Sequence, residues 1–183
     1  MAKHDSRKRD ELMDHVSVPM AAPANSSLIA YSRITGAMSE ILANVFALYL
    51  KTKYFQRNMK ALRCRHYEVV LWDQTCQLHA MTNPIAERIR KIGDSNWHSI
   101  EMMAPVQRIV DDGSAEYLDP LDMLAQLCED NETLADRLRE AHHVIGDLRD
   151  TATAGLMDNW IVETERRSRF LRKAGGHAKV TLH

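Results

Sequence analysis

The stretch DPLDMLAQLCEDNETLADRLREAHHVIGD, residues 119–147, carries the clearest helical pattern in this chain of 183 residues. Its apolar side chains recur every three or four residues, which is the spacing of an amphipathic helix that buries one face. Asp119 followed by Pro120 is typical of a helix start, because aspartate caps free backbone amides and proline suits the first helical position. The pattern predicts a helix over 120–147.

The same apolar period continues on both sides of this helix. It predicts three more helices, over about 30–58, 64–92 and 151–173. Gly93 suits the end of the second helix and Gly175 with Gly176 the end of the fourth, while Pro84 is expected to kink the second helix without breaking it. Because no stretch alternates as a strand would, the chain is predicted to be an all-α four-helix bundle.

The lengths of the connections predict how the helices are arranged. Short links after the first and third helices make antiparallel neighbours, whereas residues 94–118 are long enough to cross the bundle. That crossover is expected to contain a short helix in SIEMMAPVQRIV, 99–110, and one long crossover is the ferritin-like arrangement. The predicted domain is 26–175, between a flexible tail over 1–25 and a C-terminal tail over 176–183.

Cysteines and hydropathy limit the class of protein and its location. Cys64, Cys76 and Cys128 form no C-x-x-C pair and are odd in number, which argues against a disulfide framework and a structural zinc site. The longest apolar run, ILANVFALYL at 41–50, is about half a membrane span, and the first residues lack the apolar core of a secretory signal. We expect a cytoplasmic protein with no membrane segment.

The net charge of −1 conceals strong segregation along the sequence. Residues 51–65 and 166–183 each carry +6, whereas residues 110–150 carry −9. Two interpretations remain open: separate basic and acidic surfaces that attract an anionic partner, or helix faces that pair with one another.

Several segments together resemble the Dps family, the DNA-binding proteins of starved cells, within the ferritin-like superfamily. These are MSEILANVFALYLKTKYFQRNM (38–59), HYEVVLWDQ (66–74), AMTNPIAERIRKIG (80–93), DPLDMLAQLCEDN (119–131) and TATAGLMDNWIVETERR (151–167). The resemblance implies a hollow homo-oligomer, a dodecamer, that oxidises ferrous iron with peroxide and stores the mineral inside. It also implies that basic tails often bind DNA.

The resemblance further implies an iron site at a two-fold subunit interface. Its five ligand positions fall on Gln56, Glu68, Trp72, Asn83 and Glu87. Glu87 keeps the family's glutamate, and Glu68 puts a carboxylate where the family has a histidine. Gln56 and Asn83 are neutral amides, and Trp72 cannot bind a metal. Because iron prefers imidazole and carboxylate ligands, this set predicts weak or absent iron binding and an impaired ferroxidase centre.

Two alternatives concern the same helix. His79, Asn83 and Glu87 follow one another at four-residue spacing and share a face, which would allow a shifted metal site. A histidine packed in a subunit contact is the more ordinary role for His79, and Glu87 could instead pair with a base such as Arg57 across an interface.

Other charged residues have candidate roles in an assembled shell. Asp147 and Asp150 are candidates for a pore at a three-fold axis, with solvated helix surface as the alternative. Four bases of the N-terminal tail are candidates for non-specific phosphate contacts with DNA: Lys3, Arg7, Lys8 and Arg9. The tail's acids oppose that charge, so a tail that only aids solubility is the alternative.

Three functions therefore compete. The first is a Dps-like shell that sequesters iron and protects DNA under starvation or oxidative stress, nucleoid-associated if it binds DNA, with an impaired ferroxidase centre. The second is an active ferroxidase at a modified or shifted site. The third is a structural subunit that completes sites with a ligand-complete Dps relative in a mixed shell.

Overall fold

The computed structural model describes residues 25–61, 64–93, 105, 108–109 and 118–181. Four helices make up nearly all of this part of the chain: α1 (Asn25–Ala61), α2 (Arg65–Ile92), α3 (Pro120–Asp147) and α4 (Thr151–Thr181). These described residues contain no strand. The predicted all-α, ferritin-like bundle is confirmed.

Contacts between side chains give the direction of each helix. The Tyr49 and His79 rings lie 5.6 Å apart, and the Lys53 ammonium lies 5.1 Å from the centre of the Trp72 ring. Residue numbers therefore rise along α1 as they fall along α2, so this pair is antiparallel.

The α1 and α3 helices are antiparallel for the same reason. Lys51 of α1 pairs with Asp130 at 2.8 Å, and Glu40 lies 3.9 Å from Arg137. Because α1 runs opposite to both α2 and α3, those two helices are parallel to each other. The link between them must therefore run the length of the bundle, as predicted.

A short part of this crossover is described where it meets α1. The side-chain oxygen of Asn44 accepts hydrogen bonds from the backbone amides of Arg108 at 2.6 Å and Ile109 at 3.1 Å, and Ile109 is buried. A buried asparagine thus satisfies backbone donors that have no helical partner. The short helix predicted over 99–110 lies mostly outside the described residues.

All four helices contribute to one apolar core, with Met38 and Leu48 of α1, Leu71 of α2, Leu124 of α3 and Met157 of α4 fully buried. Their three- and four-residue spacing is the one that predicted the helices. None of the described helices has a stretch apolar enough to cross a lipid bilayer.

Local capping explains where α2 ends and where α3 begins. Gly93 adopts φ of 106°, the left-handed conformation that glycine tolerates, and the Asp119 carboxylate accepts a hydrogen bond from the Leu121 amide at 3.0 Å. Pro84 lies inside α2, which continues through it to Ile92.

The predicted end of α4 is wrong, because the helix continues through Gly175 and Gly176 to Thr181. Gly175 does not have a positive φ, and a glycine ends a helix only where the chain turns into that conformation. The α1 helix also begins at Asn25, earlier than predicted.

The segregated charges pair in part within the chain. Lys51 of the first basic window bonds to Asp130, and Arg172 of the second bonds to Glu132; both carboxylates belong to the acidic window. Arg139 bridges Asp136 and Glu165, each at 2.5 Å. These contacts support the interpretation that helix faces pair with one another.

Candidate metal centre

The first part of the predicted iron site lies where α1 and α2 meet at their connecting loop. Because Lys53 faces Trp72 across the antiparallel pair, Gln56, one turn after Lys53, and Glu68, one turn before Trp72, both lie near that loop. Both side chains are half-buried.

The second part of the site is far away on the same helix. An α-helix rises 1.5 Å per residue, so Asn83 lies about 22 Å and Glu87 about 28 Å along α2 from Glu68. One chain cannot bring both parts to one ion. A site that uses both needs a second subunit, which agrees with the interface position that the resemblance implies.

Trp72 occupies the position at which the resemblance expects a ligand aspartate. Its indole is 53% exposed, so the ring does not fill a cavity within the chain. The Lys53 ammonium lies 5.1 Å from the ring centre, a cation–π distance. A carboxylate that would attract iron is thus replaced by an aromatic ring that holds a cation.

Glu87, the retained ligand, is an exposed side chain with a local partner. It pairs with Arg90 at 3.6 Å, one turn further along α2. The partner within the chain is therefore Arg90, and the predicted pairing with Arg57 across an interface stays a hypothesis. Asn83 is also exposed.

The alternative row of His79, Asn83 and Glu87 lies on one exposed face of α2, as its spacing predicted. The His79 ring packs against Tyr49 with an interplanar angle of 44°. Within the described residues of one chain, no three His, Cys, Asp or Glu side chains gather in a way that would hold a metal ion.

The donor set that remains does not suit iron. Two carboxylates and two amides provide little negative charge, and amide oxygen is a weak ligand for ferric iron. Lys53 adds a positive charge next to the first part of the site. The side chains at these positions therefore do not match the chemistry of an efficient ferroxidase.

Comparison with known proteins identifies the family that has this fold. A family model described as a ferritin-like domain matches residues 35–176, most of the chain. The chain belongs to the ferritin-like family. No curated protein gives a significant match to it.

Solved Dps structures share the fold of this ferritin-like chain at low sequence identity. Dps from Thermosynechococcus elongatus has a TM-score of 0.74 and 16% identity, over 81% of this chain and 93% of its own. Dps from Vibrio cholerae O1, described as a member of a broad superfamily of ferritin-like diiron-carboxylate proteins, has a TM-score of 0.73 and 19% identity, over 79% of this chain and 90% of its own. An archaeal Dps homologue from Halobacterium salinarum has a TM-score of 0.73 and 20% identity, over 80% of this chain and 81% of its own.

The two predicted pore residues of this ferritin-like chain differ in their surroundings. Asp147 is exposed and lies 3.3 Å from His143. Asp150 is partly buried, and its two carboxylate oxygens accept hydrogen bonds from the Arg88 guanidinium at 2.8 and 2.9 Å. The carboxylate also accepts a hydrogen bond from the Thr153 backbone amide at 3.1 Å. Asp150 therefore caps α4 and joins it to α2, and a pore role for either residue stays a prediction.

Electrostatics support this structural role of Asp150. Burial of the carboxyl opposes its ionisation, but hydrogen bonds from Thr153 and Arg88 outweigh that effect and hold its pKa below the usual value.

The predicted DNA contacts Lys3, Arg7, Lys8 and Arg9 lie outside the described residues.

Sequence reasoning missed the position of Arg167, which it counted only as part of a basic window. The side chain is 2% exposed, and its guanidinium donates to Asn131 at 3.0 Å and Thr164 at 2.8 Å. Burial lowers its pKa to about 10. The signal was present, because the apolar spacing of α4 continues from Trp160 through Thr164 and Arg167 to Leu171.

Proposed function

We propose that this chain is a Dps-like shell subunit that sequesters iron and protects DNA under starvation or oxidative stress, with an impaired ferroxidase centre. In this proposal twelve copies form the shell, which works in the cytoplasm. The observation that carries the proposal is Trp72 with the Lys53 ammonium 5.1 Å from its ring, where the family resemblance expects a ligand carboxylate.

The physical argument concerns charge. Ferrous iron loses an electron more easily where carboxylates stabilise the ferric product, and amides at Gln56 and Asn83 lack that charge. A nearby ammonium raises the free energy of a bound cation further, by an amount that grows as water is excluded. The shell then stores iron that is oxidised slowly or elsewhere.

Restoring the missing ligands tests this proposal. The double variant Gln56→His with Trp72→Asp replaces the amide and the indole by an imidazole and a carboxylate, so we expect Fe(II) oxidation by peroxide to become at least about tenfold faster. Stopped-flow absorbance of ferric product measures the rate. Val162→Asp adds the same charge on exposed α4 surface and should leave the rate unchanged.

Two results would contradict the proposal: a wild-type rate that the double variant does not exceed, or an equal gain in Val162→Asp. A fast wild-type rate that His79→Ala abolishes would instead establish the shifted site.

We propose that DNA protection depends on the N-terminal tail. Lys3, Arg7, Lys8 and Arg9 can contact phosphates without reading bases, and twelve tails on one shell multiply each weak contact. Deletion of residues 1–15 should abolish the retardation of plasmid in a gel, and salt should weaken wild-type binding steeply. Unchanged retardation by the truncated shell would refute this part.

A mixed shell is a second candidate, favoured by the two carboxylates that stand at ligand positions, Glu68 and Glu87. Glu68 and Glu87 lie about 28 Å apart along α2, so each can contribute only to a site that another subunit completes. A ligand-complete Dps relative would supply the histidine and aspartate that this chain lacks. Affinity capture of the tagged chain from its native cells should then recover that relative, and capture of this chain alone would exclude a mixed shell.

A further inference from the structure

A groove of about 690 Å³ lies between α2 and the C-terminal half of α4, within the range of small-ligand sites. We call it the α2/α4 groove. Gln74 of α2 and Arg167 of α4 both line it, although these side chains are only 3% and 2% exposed. They form its buried floor. The exposed rim has three bases of α4 and one acid of α2, namely Arg166, Arg169, Lys173 and Asp73.

The positions of the two helices place Gln74 opposite Arg167. Arg88 of α2 donates a hydrogen bond to the Thr153 hydroxyl of α4 at 2.6 Å. The α4 helix follows α3 after a short turn and packs along it, so it runs opposite to α3 and therefore to α2. Gln74 lies fourteen residues before Arg88, and Arg167 lies fourteen residues after Thr153. Because an α-helix makes nearly four turns over that length, Gln74 and Arg167 lie at one level and on facing sides.

This floor lies away from the side of α2 that the interface site uses. Trp72 also borders the groove, but its ring contacts Lys53 of α1, and His79 likewise contacts Tyr49 of α1. Successive residues of an α-helix are about 100° apart, so Gln74 lies about 160° around α2 from Trp72. The floor therefore belongs to the α4 side of α2 and not to its α1 side.

Each of the two floor residues has one buried polar atom with no hydrogen-bond partner among the described residues. These atoms are the Oε1 acceptor of Gln74 and the Nη1 donor of Arg167. The other guanidinium nitrogens donate to neutral groups such as Asn131 and Thr164, and Glu163 favours the charge of Arg167 through space. The charge is thus compensated in part, but one donor and one acceptor are left with a desolvation cost that a ligand can remove.

A ligand that satisfies both atoms must accept a hydrogen bond from Arg167 and donate one to Gln74. Water does so, but it makes no use of the positive rim. Inorganic phosphate does so and uses the rim, because at neutral pH it is an anion that keeps at least one proton. Sulfate has the same shape but keeps no proton, so one of its oxygens would face the Gln74 oxygen, acceptor against acceptor.

We propose that the floor of the α2/α4 groove binds hydrogen phosphate, with one phosphate oxygen accepting from Arg167 and the phosphate hydroxyl donating to Gln74. The bases of the rim attract either anion, and Gln74 selects the one that carries a proton. This inference is independent of the iron role and of the N-terminal tail.

Calorimetric titration of the full-length, iron-free protein with sodium phosphate and, separately, with sodium sulfate tests the proposal. Both titrations use one chloride buffer at neutral pH that contains no other oxyanion. Phosphate should bind at least about tenfold more tightly than sulfate, because sulfate loses a hydrogen bond at Gln74. Attraction by the rim alone would not give this order, since sulfate carries at least as much negative charge.

One substitution locates the selection at Gln74. Gln74→Met removes the acceptor with little change in length, so it should weaken phosphate binding about tenfold and bring the two affinities close together. A loss of packing alone would weaken both anions equally and leave their ratio unchanged. Gln126→Met makes the same replacement at a half-buried position of α3, outside the groove, and should leave both affinities unchanged.

Three results would overturn the proposal: no binding of phosphate, equal affinities of the wild-type protein for phosphate and sulfate, or an unchanged preference for phosphate in Gln74→Met. Circular dichroism establishes whether each variant keeps its helices. The comparison of the two anions on the wild-type protein tests the proposal even where a variant fails to fold.

Discussion

Asp150 and Arg167 are charged residues that the fold uses in opposite ways. The Asp150 carboxylate lies against Arg88, with two hydrogen bonds at 2.8 and 2.9 Å, and it also caps α4. Arg167 is held by neutral groups of Asn131 and Thr164. A buried ion pair is strongly destabilising to break, whereas a buried guanidinium held by neutral hydrogen-bond acceptors carries a desolvation cost that lowers the stability of the bundle.

The Asp150 ion pair predicts a stability that depends on pH. Asp150→Asn keeps a side chain that can cap α4 but loses the charge, so the free energy of unfolding at pH 7 should fall by about 1–2 kcal/mol. Because the folded-state pKa lies below the ordinary value of 3.8, this stabilisation is present above that pH and is lost as the pH falls through the folded-state pKa.

Urea unfolding followed by circular dichroism measures this effect. Asp158→Asn is the matched control, because the Asp158 side chain is 66% exposed and pairs with His142 at 3.1 Å on the surface, so its cost should stay below about 0.5 kcal/mol. Equal losses in the two variants, or a difference that persists at low pH, would disprove the role given to Asp150.

At the scale of helices, sequence predicted best the ends that local chemistry determines. The start of α3 follows from Asp119 and Pro120, and the end of α2 follows from Gly93. The end of α4 was not predictable in this way, because a glycine pair weakens a helix without requiring it to stop. The long crossover was predictable from its length, but its path along Asn44 depends on tertiary packing.

Two glycines on different helices should respond in opposite directions to the same substitution. Gly175→Ala places a methyl group in open space on a helical backbone and should raise the free energy of unfolding by up to about 1 kcal/mol. Gly93→Ala forces a side chain into φ of 106° and should lower it by about 1 kcal/mol. Urea unfolding of both variants measures the changes, and stabilisation by Gly93→Ala would contradict the assigned cap.

At the scale of the whole molecule, the candidate iron site was only partly predictable. Sequence placed the ligand positions on α1 and α2, but the distance between Glu68 and Glu87 becomes decisive only once α2 is seen as one continuous helix. The Lys53 contact with Trp72 also depends on how α1 and α2 pack. These contacts show why one chain cannot hold iron at both parts of the site.

The proposed impairment of the iron centre, in a bundle that is intact, predicts a shell that holds iron without binding it tightly at the subunit interface. The fold does not depend on Trp72 or Asn83, because both side chains are exposed and the core lies on the opposite face of α2. We therefore expect substitutions at these two positions to change iron oxidation without unfolding the chain.

The most direct measurement is an anaerobic titration of the assembled wild-type protein with Fe(II), followed by addition of peroxide. We predict weak binding, with no stoichiometric break per subunit, and slow consumption of peroxide. Tight binding at a fixed number of ions per subunit, followed by rapid peroxide consumption, would contradict the account.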